Sequence, residues 1–245
     1  IDVWRFPYDW RQSADDLADQ LKTFIDEEVI GRGAPTCEVD IVAHSYGGLV
    51  TSTYLKKFPE HSQSSVHRMV TIGTPYLGTP QAFASHSKGY VFDVDETIKW
   101  WDVDWGMAIE VTEDMPVAYG LMPSETYWNV ASNGGTELIP WVDVRGALLG
   151  TYANLERLMG DSFPNGGLAR KGSLWDEERS KVHHLVNDWR SWEGPPQIYR
   201  FVGADRPTPV GWARVPVDDW FEEENIRTVP GDTPFTLVYR QFLQP

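Results

Sequence analysis

One stretch of this sequence constrains the fold more than any other. "VDIVAHSYGGLV", residues 39–50, is an apolar run, a turn of small residues around one serine, and a second run able to start a helix. Residues 38–44 read as a short buried strand and 47–58 as a helix with Leu49, Val50, Tyr54 and Leu55 available to pack. "HRMVTIGTP" repeats the strand signal, and Pro75 and Pro80 punctuate the loop behind it. Strands that alternate with helices at this spacing are joined by crossovers, so the expected class is α/β: a mostly parallel, doubly wound sheet with helices on both faces.

The flanks extend the pattern. "IDVWRFPYDWR" opens apolar and β-prone and meets Pro7, as a strand running into a loop does. In "SADDLADQLKTFIDEEV", Ser13 stands at an N-cap position, acidic residues fill the first turn, and Leu17, Leu21, Phe24, Ile25 and Val29 share a face. After about Phe83 the composition changes. Eight of the twelve tryptophans fall between there and Pro195, among Gly- and Pro-rich interruptions, so this stretch reads as an insertion. Two helices are legible in it, "ALLGTYANLERLM" and "SLWDEERSKVHHLVNDWRSW", the second with Trp175, Val182, Val186 and Trp189 on one face. "PPQIYRFVGADRPTP" then returns to the strand pattern at Ile198, Phe201 and Val202. The expected organisation is a core of residues 1–82, an inserted Trp-rich cap of 83–195, and returning core strands in 196–245.

Charge narrows the partners. With 36 acidic against 21 basic residues the net charge is −15, and repulsion opposes encounter with nucleic acid or an anionic surface. Cys37 is the lone cysteine, which excludes an internal disulfide within these residues. Neither a Cys–His cluster, an H-E-x-x-H pair, a phosphate loop nor a dinucleotide fingerprint occurs, so no metal or cofactor is expected. "DVDETIKWWDVDW" reads as a solvated acidic surface, not a calcium loop.

The serine turn carries the chemistry. A serine nucleophile must stand clear of the backbone on a sharp strand-to-helix turn, where the N–H groups of the following helix face the developing oxyanion. Ala43-His44-Ser45-Tyr46-Gly47 fits G-x-S-x-G with alanine at its first position, in the strand–turn–helix context that gives the pattern meaning. The competing reading is a serine that merely caps an ordinary helix.

"FPYDWR", "AHSYGGLV", "TIGTPYLGTP", "LMPSETYW" and "VGADRPTP" follow one another in an order that resembles the lecithin:cholesterol acyltransferase family, with its lysosomal phospholipase and phospholipid:diacylglycerol acyltransferase branches. The resemblance runs from about Tyr8 to about Pro209. It implies an α/β-hydrolase core under a cap, a Ser–Asp–His triad, and movement of a fatty acyl group from a glycerolipid or other lipid ester to an alcohol or water, with no cofactor. Ser45 matches the nucleophile, and Tyr46 the residue whose backbone N–H is one oxyanion donor. "VPGDTPF" resembles the family's acid-bearing stretch with a glycine missing, making Asp232 the triad acid; Asp205, after a strand, is the alternative. Both equally suit turn aspartates.

The histidine is the gap. His44 adjoins the serine but should point away from it and pack; His61 and His67 read as loop residues on the far side of the sheet. His86 stands at the cap entrance, and His183 and His184 flank a cap helix as partly exposed surface. Because the family's histidine follows the final strands, it is expected beyond residue 245, and the family's second oxyanion donor before Ile1. On that expectation residues 1–245 are nearly inactive alone. Asp9 and Arg11 read as a structural ion pair, and most cap tryptophans as core, with two or three near substrate.

Overall fold

The computed structural model describes residues 2–32, 38–83, 111–131, 151–159, 169–184, 196–203, 208–214, 226–227 and 235–240. The chain divides into two compact units, Ile1–Tyr76 with Glu177–Gly203, and Leu77–Asp176 with Ala204–Pro245.

The first unit is an α/β layer. Helix α1, Ala14–Phe24, starts at Ser13, whose extended backbone and side-chain oxygen, accepting from Asp15 N–H at 3.1 Å, form an ordinary N-cap. Ala14, Leu17, Ala18 and Leu21 are its buried stripe, and a wider turn over Ile25–Ile30 continues it with Ile25 and Val29 buried. Strand β1, Val39–His44, leads into α2, Tyr46–Lys57; a short helix α3, Pro59–Ser65, then feeds β2, Val66–Ile72. The expected packing residues of α2, Leu49, Val50, Tyr54 and Leu55, are all buried. Strand β3, Gln197–Phe201, completes a sheet in the order β1-β2-β3, parallel throughout, with Ala43 opposite Thr71 and Met69 opposite Ile198.

One face of this sheet, bearing Ala43, Met69 and Thr71, is buried, and α2 packs on β1 and on α1. The alternate positions Val42, Ile72, Tyr199 and Phe201 are exposed, as the period-two geometry of strands requires when only one face is covered. Residues 2–9, expected to begin as a strand, have no regular structure. Asp2–Phe6 and Tyr8 instead line a trench of about 1010 Å³ that also runs along β1. Strand propensity is realised only beside a partner, and among the described residues β1 pairs with β2 alone.

The second unit is built on helices. Here α4 is Pro116–Gly120, α5 Glu125–Ala131, α6 Tyr152–Met159 and α7 Ala169–Glu178, whose last two residues, Glu177 and Glu178, belong with its wider-turned continuation Arg179–His183 to the first unit. Phe83, Tyr119, Met122, Trp128, Leu155, Met159 and Trp175 form its apolar centre. Trp128 and Trp175 are therefore core residues, whereas Trp100, Trp101 and Trp105 lie outside the described residues. Two of the sequence landmarks meet in this unit: Thr79 N–H donates to Leu121 O at 2.8 Å and Ser124 N–H to Leu77 O at 2.9 Å. Gly78 makes the meeting possible, because its φ of +88° is open to glycine and a side chain there would run into the Met122 carbonyl. Strands β4, Thr208–Arg214, β5, Ile226–Arg227, and β6, Phe235–Arg240, form a separate antiparallel sheet with β6 in the middle.

Candidate active site

Ser45 joins β1 to α2 with φ 51° and ψ −126°, and is the one non-glycine residue at positive φ among those described. An L-residue adopts that backbone only when its surroundings impose it, at a cost of about 1–3 kcal/mol. The surroundings are identifiable. Ser45 N–H donates to Ile72 O at 2.9 Å, holding the turn against the end of β2, and Gly48 N–H donates back to Ser45 O at 3.0 Å, starting the helix at once.

The side chain does not cap that helix. A capping serine has an extended backbone and spends its oxygen on the second or third N–H; Ser45 does neither, and its side chain is half-buried at the turn. The N–H groups of Tyr46 and Gly47 come first in the helix, with the positive end of its dipole behind them, which is where an oxyanion is best held.

Close packing around the turn explains its small residues. A Cβ on Gly47 would lie 3.8 Å from Ala43 Cβ and 3.3 Å from the Tyr8 hydroxyl, so alanine at position 43 still admits the helix. The tighter position is the next one: a Cβ on Gly48 would overlap Thr74 Oγ1 and come within 2.6 Å of Thr74 Cγ2. The motif names Gly47, yet Gly48 is the residue with no room. The loop carrying Thr74 is itself fastened, by Gly73 N–H to Phe201 O at 2.9 Å, by the Tyr76 hydroxyl to Thr71 Oγ1 at 3.1 Å, and by the Arg200 guanidinium 4.8 Å above the Tyr76 ring.

Tyr46 is buried, and its hydroxyl donates to Gln12 O at 2.9 Å, tying the first residue of α2 to the start of α1. Burial, then the charge of Glu178, push its phenol well above the ordinary range, so it acts as a donor and not as a base.

The histidines divide differently from the expectation. His44 does not pack; it is exposed at the end of β1, because its side chain alternates onto the open face of the sheet. His61 sits in helix α3, not a loop, with one ring nitrogen 2.8 Å from the Tyr54 hydroxyl and the other 2.7 Å from Asp26 Oδ1. It joins three elements at the end of α2 remote from Ser45. His67 lies on β2 and meets Asp40 at 3.1 Å on the surface. His183 is buried, not partly exposed, while His184 is exposed. Among the described residues no hydrogen bond joins a histidine to Ser45. Asp205, Asp232 and His86 lie outside the described residues. Asp9 and Arg11 form the expected exposed ion pair, 2.6 Å apart, and that partner holds the Asp9 carboxyl down at about 2. Among the described residues no cluster of His, Cys, Asp or Glu could hold a metal ion, and no helix is long and apolar enough to cross a membrane.

A parallel sheet whose strand ends in a strained serine and turns straight into a helix defines an α/β-hydrolase-like protein. Residues 2–133 match the model of the lecithin:cholesterol acyltransferase family, and the chain belongs to that family. No curated protein matches it. Among solved structures, a chain of the crystal structure of the Tle4-Tli4 complex aligns with 96% of this chain at a TM-score of 0.53 and 16% identity. This chain spans 53% of that one, about half its length. The crystal structure of the gene lin2722 products from Listeria innocua aligns over 77% of this chain and 71% of its own, at 12% identity and a TM-score of 0.25.

Proposed function

We propose that the protein is a serine-dependent enzyme of lipid esters, an O-acyltransferase or phospholipase, and that Ser45 is its nucleophile. The observation that carries this reading is the Ser45 turn: a positive-φ serine, half-buried, with its hydroxyl not spent on capping the helix it precedes. Family membership supports the lipid ester as substrate class.

In this mechanism Ser45 Oγ attacks the ester carbonyl while a histidine takes its proton. The tetrahedral oxyanion accepts the Tyr46 N–H, collapse expels the alcohol with the proton, and the acyl group stays on Ser45. Water or a lipid alcohol then attacks the acyl-enzyme and restores the serine. Asp232, or alternatively Asp205, orients the histidine and stabilises its cation. A cap over 83–195 excludes water and seats the acceptor.

The test is a fluorophosphonate probe on the wild-type protein and on Ser45→Ala, followed by hydrolysis of esters of graded acyl length. Ser45-dependent labelling with a preference for long chains upholds the reading. Labelling with short-chain preference moves the protein to carboxylesterases of soluble esters. Absence of labelling, with lipid still bound, makes it a lipid-binding protein without catalysis.

A further inference from the structure

The edge of β1 turned away from β2 faces the trench. Ser45 N–H goes to β2, at Ile72 O. Backbone groups alternate along a strand, so the N–H and C=O of Val42 and His44 turn the opposite way, into the trench that β1 lines from Val39 to His44. Among the described residues no strand pairs with them there. Asp2–Phe6, without regular structure, line the trench too, and the apolar stripe of Leu21, Phe24, Ile25 and Val29 faces it. All of these residues belong to the first unit.

We propose that the trench is a docking slot for one extended polypeptide segment, which joins the sheet beside β1 as a further parallel strand.

The size fits that occupant. A strand takes up about 160 Å³ per residue, from a rise of about 3.3 Å, a neighbour spacing of about 4.8 Å and a layer depth of about 10 Å. The trench, about 1010 Å³, therefore holds about six residues, the length of β1. The chemistry fits as well. An acyl chain would cover the apolar stripe but leave the N–H and C=O of Val42 and His44 buried without partners, each at the cost of an unmade hydrogen bond. A strand satisfies both demands: its backbone continues the parallel ladder of β2 and β1 outward, and its alternate side chains pack on the stripe. Asp2–Phe6 do not close the gap themselves, because Phe6 is packed on Phe24 with ring centres 5.3 Å apart and the Tyr8 hydroxyl stands against Gly47. Charge selects further. Asp2, Glu38 and Asp40 outnumber Arg5 and His67 in the lining, and the chain carries −15, so the slot favours a segment with a basic residue beside Glu38 over a second copy of this chain. Ala43, His44 and Gly47 line the trench as well, so a strand in it borders the Ser45 turn.

Amide hydrogen exchange on the 245-residue chain tests the slot. The probe is a six-residue peptide, blocked at both ends, with lysine first and then valine alternating with threonine. The control peptide is N-methylated at its valines, which keeps the apolar side chains and removes the backbone donors that would face β1. In the chain alone, Val42 and His44 N–H should exchange about tenfold or more faster than Ala43 and Ser45 N–H, after correction for intrinsic rates. Saturating probe should slow Val42 and His44 by about tenfold or more, and the N-methylated peptide should leave them unchanged. Equal slowing by both peptides, or slowing by neither, overturns the slot, as does protection of Val42 and His44 in the chain alone. Slowing by sodium laurate and not by the probe makes the trench an acyl-chain site and overturns it too. Labelling of Ser45 is a separate readout: an empty slot leaves the acyl-transfer reading intact, and a failed Ser45 label leaves the slot intact.

Discussion

Two serines precede helices in the same unit, and they behave in opposite ways. Ser13 has an extended backbone and gives its oxygen to Asp15 N–H, so α1 gains a satisfied N-terminus. Ser45 has a positive φ and caps nothing, so α2 begins without that help. Residue type is identical; what differs is the chain before it. Ser13 follows a loop that is free to take the capping geometry, whereas Ser45 follows a strand paired with β2 to its last residue, with Ile72 O holding its N–H. The capping geometry is open at position 13 and closed at position 45, and the strained backbone left at Ser45 is the feature that the nucleophile proposed above would use.

The largest effect that would break this comparison is chemical. Ser45→Ala should abolish fluorophosphonate labelling and, in an active protein, lower turnover by about 10⁴-fold or more, while hardly moving stability. Ser13→Ala should do the reverse, lowering stability by about 1 kcal/mol in urea unfolding with labelling retained. If Ser45→Ala were to cost stability as Ser13→Ala does, the two serines would be doing the same job, and the nucleophile reading would fail.

Next in size is the packing that fixes the turn. Gly48→Ala drives a methyl into Thr74 and should destabilise by about 1–3 kcal/mol. Thr74→Ala in the same chain should restore part of that loss, since it removes Oγ1 and Cγ2 and leaves only the Thr74 Cβ, at 2.8 Å, in the way; a double mutant no better than the sum of the singles would place the strain elsewhere.

Strain at the turn itself gives a smaller shift of opposite sign. Ser45→Gly should stabilise by about 1 kcal/mol, because glycine reaches φ 51° without penalty, and Ser13→Gly should lose a few tenths at a position that needs no such freedom. Chemical denaturation of the two variants side by side checks it. A loss at position 45 equal to that at 13 would mean the turn is unstrained.

Much of the first unit was legible before any coordinates. Period and caps placed α1, β1, α2 and β2, and Ser13 was found as a cap from its acidic first turn. Residues 2–6 read as a strand and are not one, because a β-prone stretch becomes a strand only beside a partner, which composition does not reveal, whereas the loop expected from Pro7 is present. The burial of Glu178 is not legible for a related reason: in "WDEERSKVHH" it is one charge among many, and only the folded packing distinguishes it from exposed Glu177. His61 reads as a loop residue because "FPEHSQS" is polar and holds Pro59, yet proline at a first helical position starts a helix as readily as it ends one.

The smallest predicted effect separates the motif from the packing behind it. Gly47 is the glycine that the G-x-S-x-G pattern names, so by pattern alone it should be the less replaceable of the pair. Its imagined Cβ meets only the Tyr8 hydroxyl at 3.3 Å, the far end of a side chain able to give by a few tenths of an ångström, and Ala43 Cβ at ordinary contact distance. Alanine also suits a helix better than glycine by about 0.5–1 kcal/mol, which offsets that adjustment. Gly47→Ala should therefore lie within about 0.5 kcal/mol of wild type in urea unfolding and should keep the Ser45 label, in contrast to Gly48→Ala. If the two substitutions prove equally damaging, the constraint at this turn comes from the path of the helix backbone and not from Thr74 lying across it.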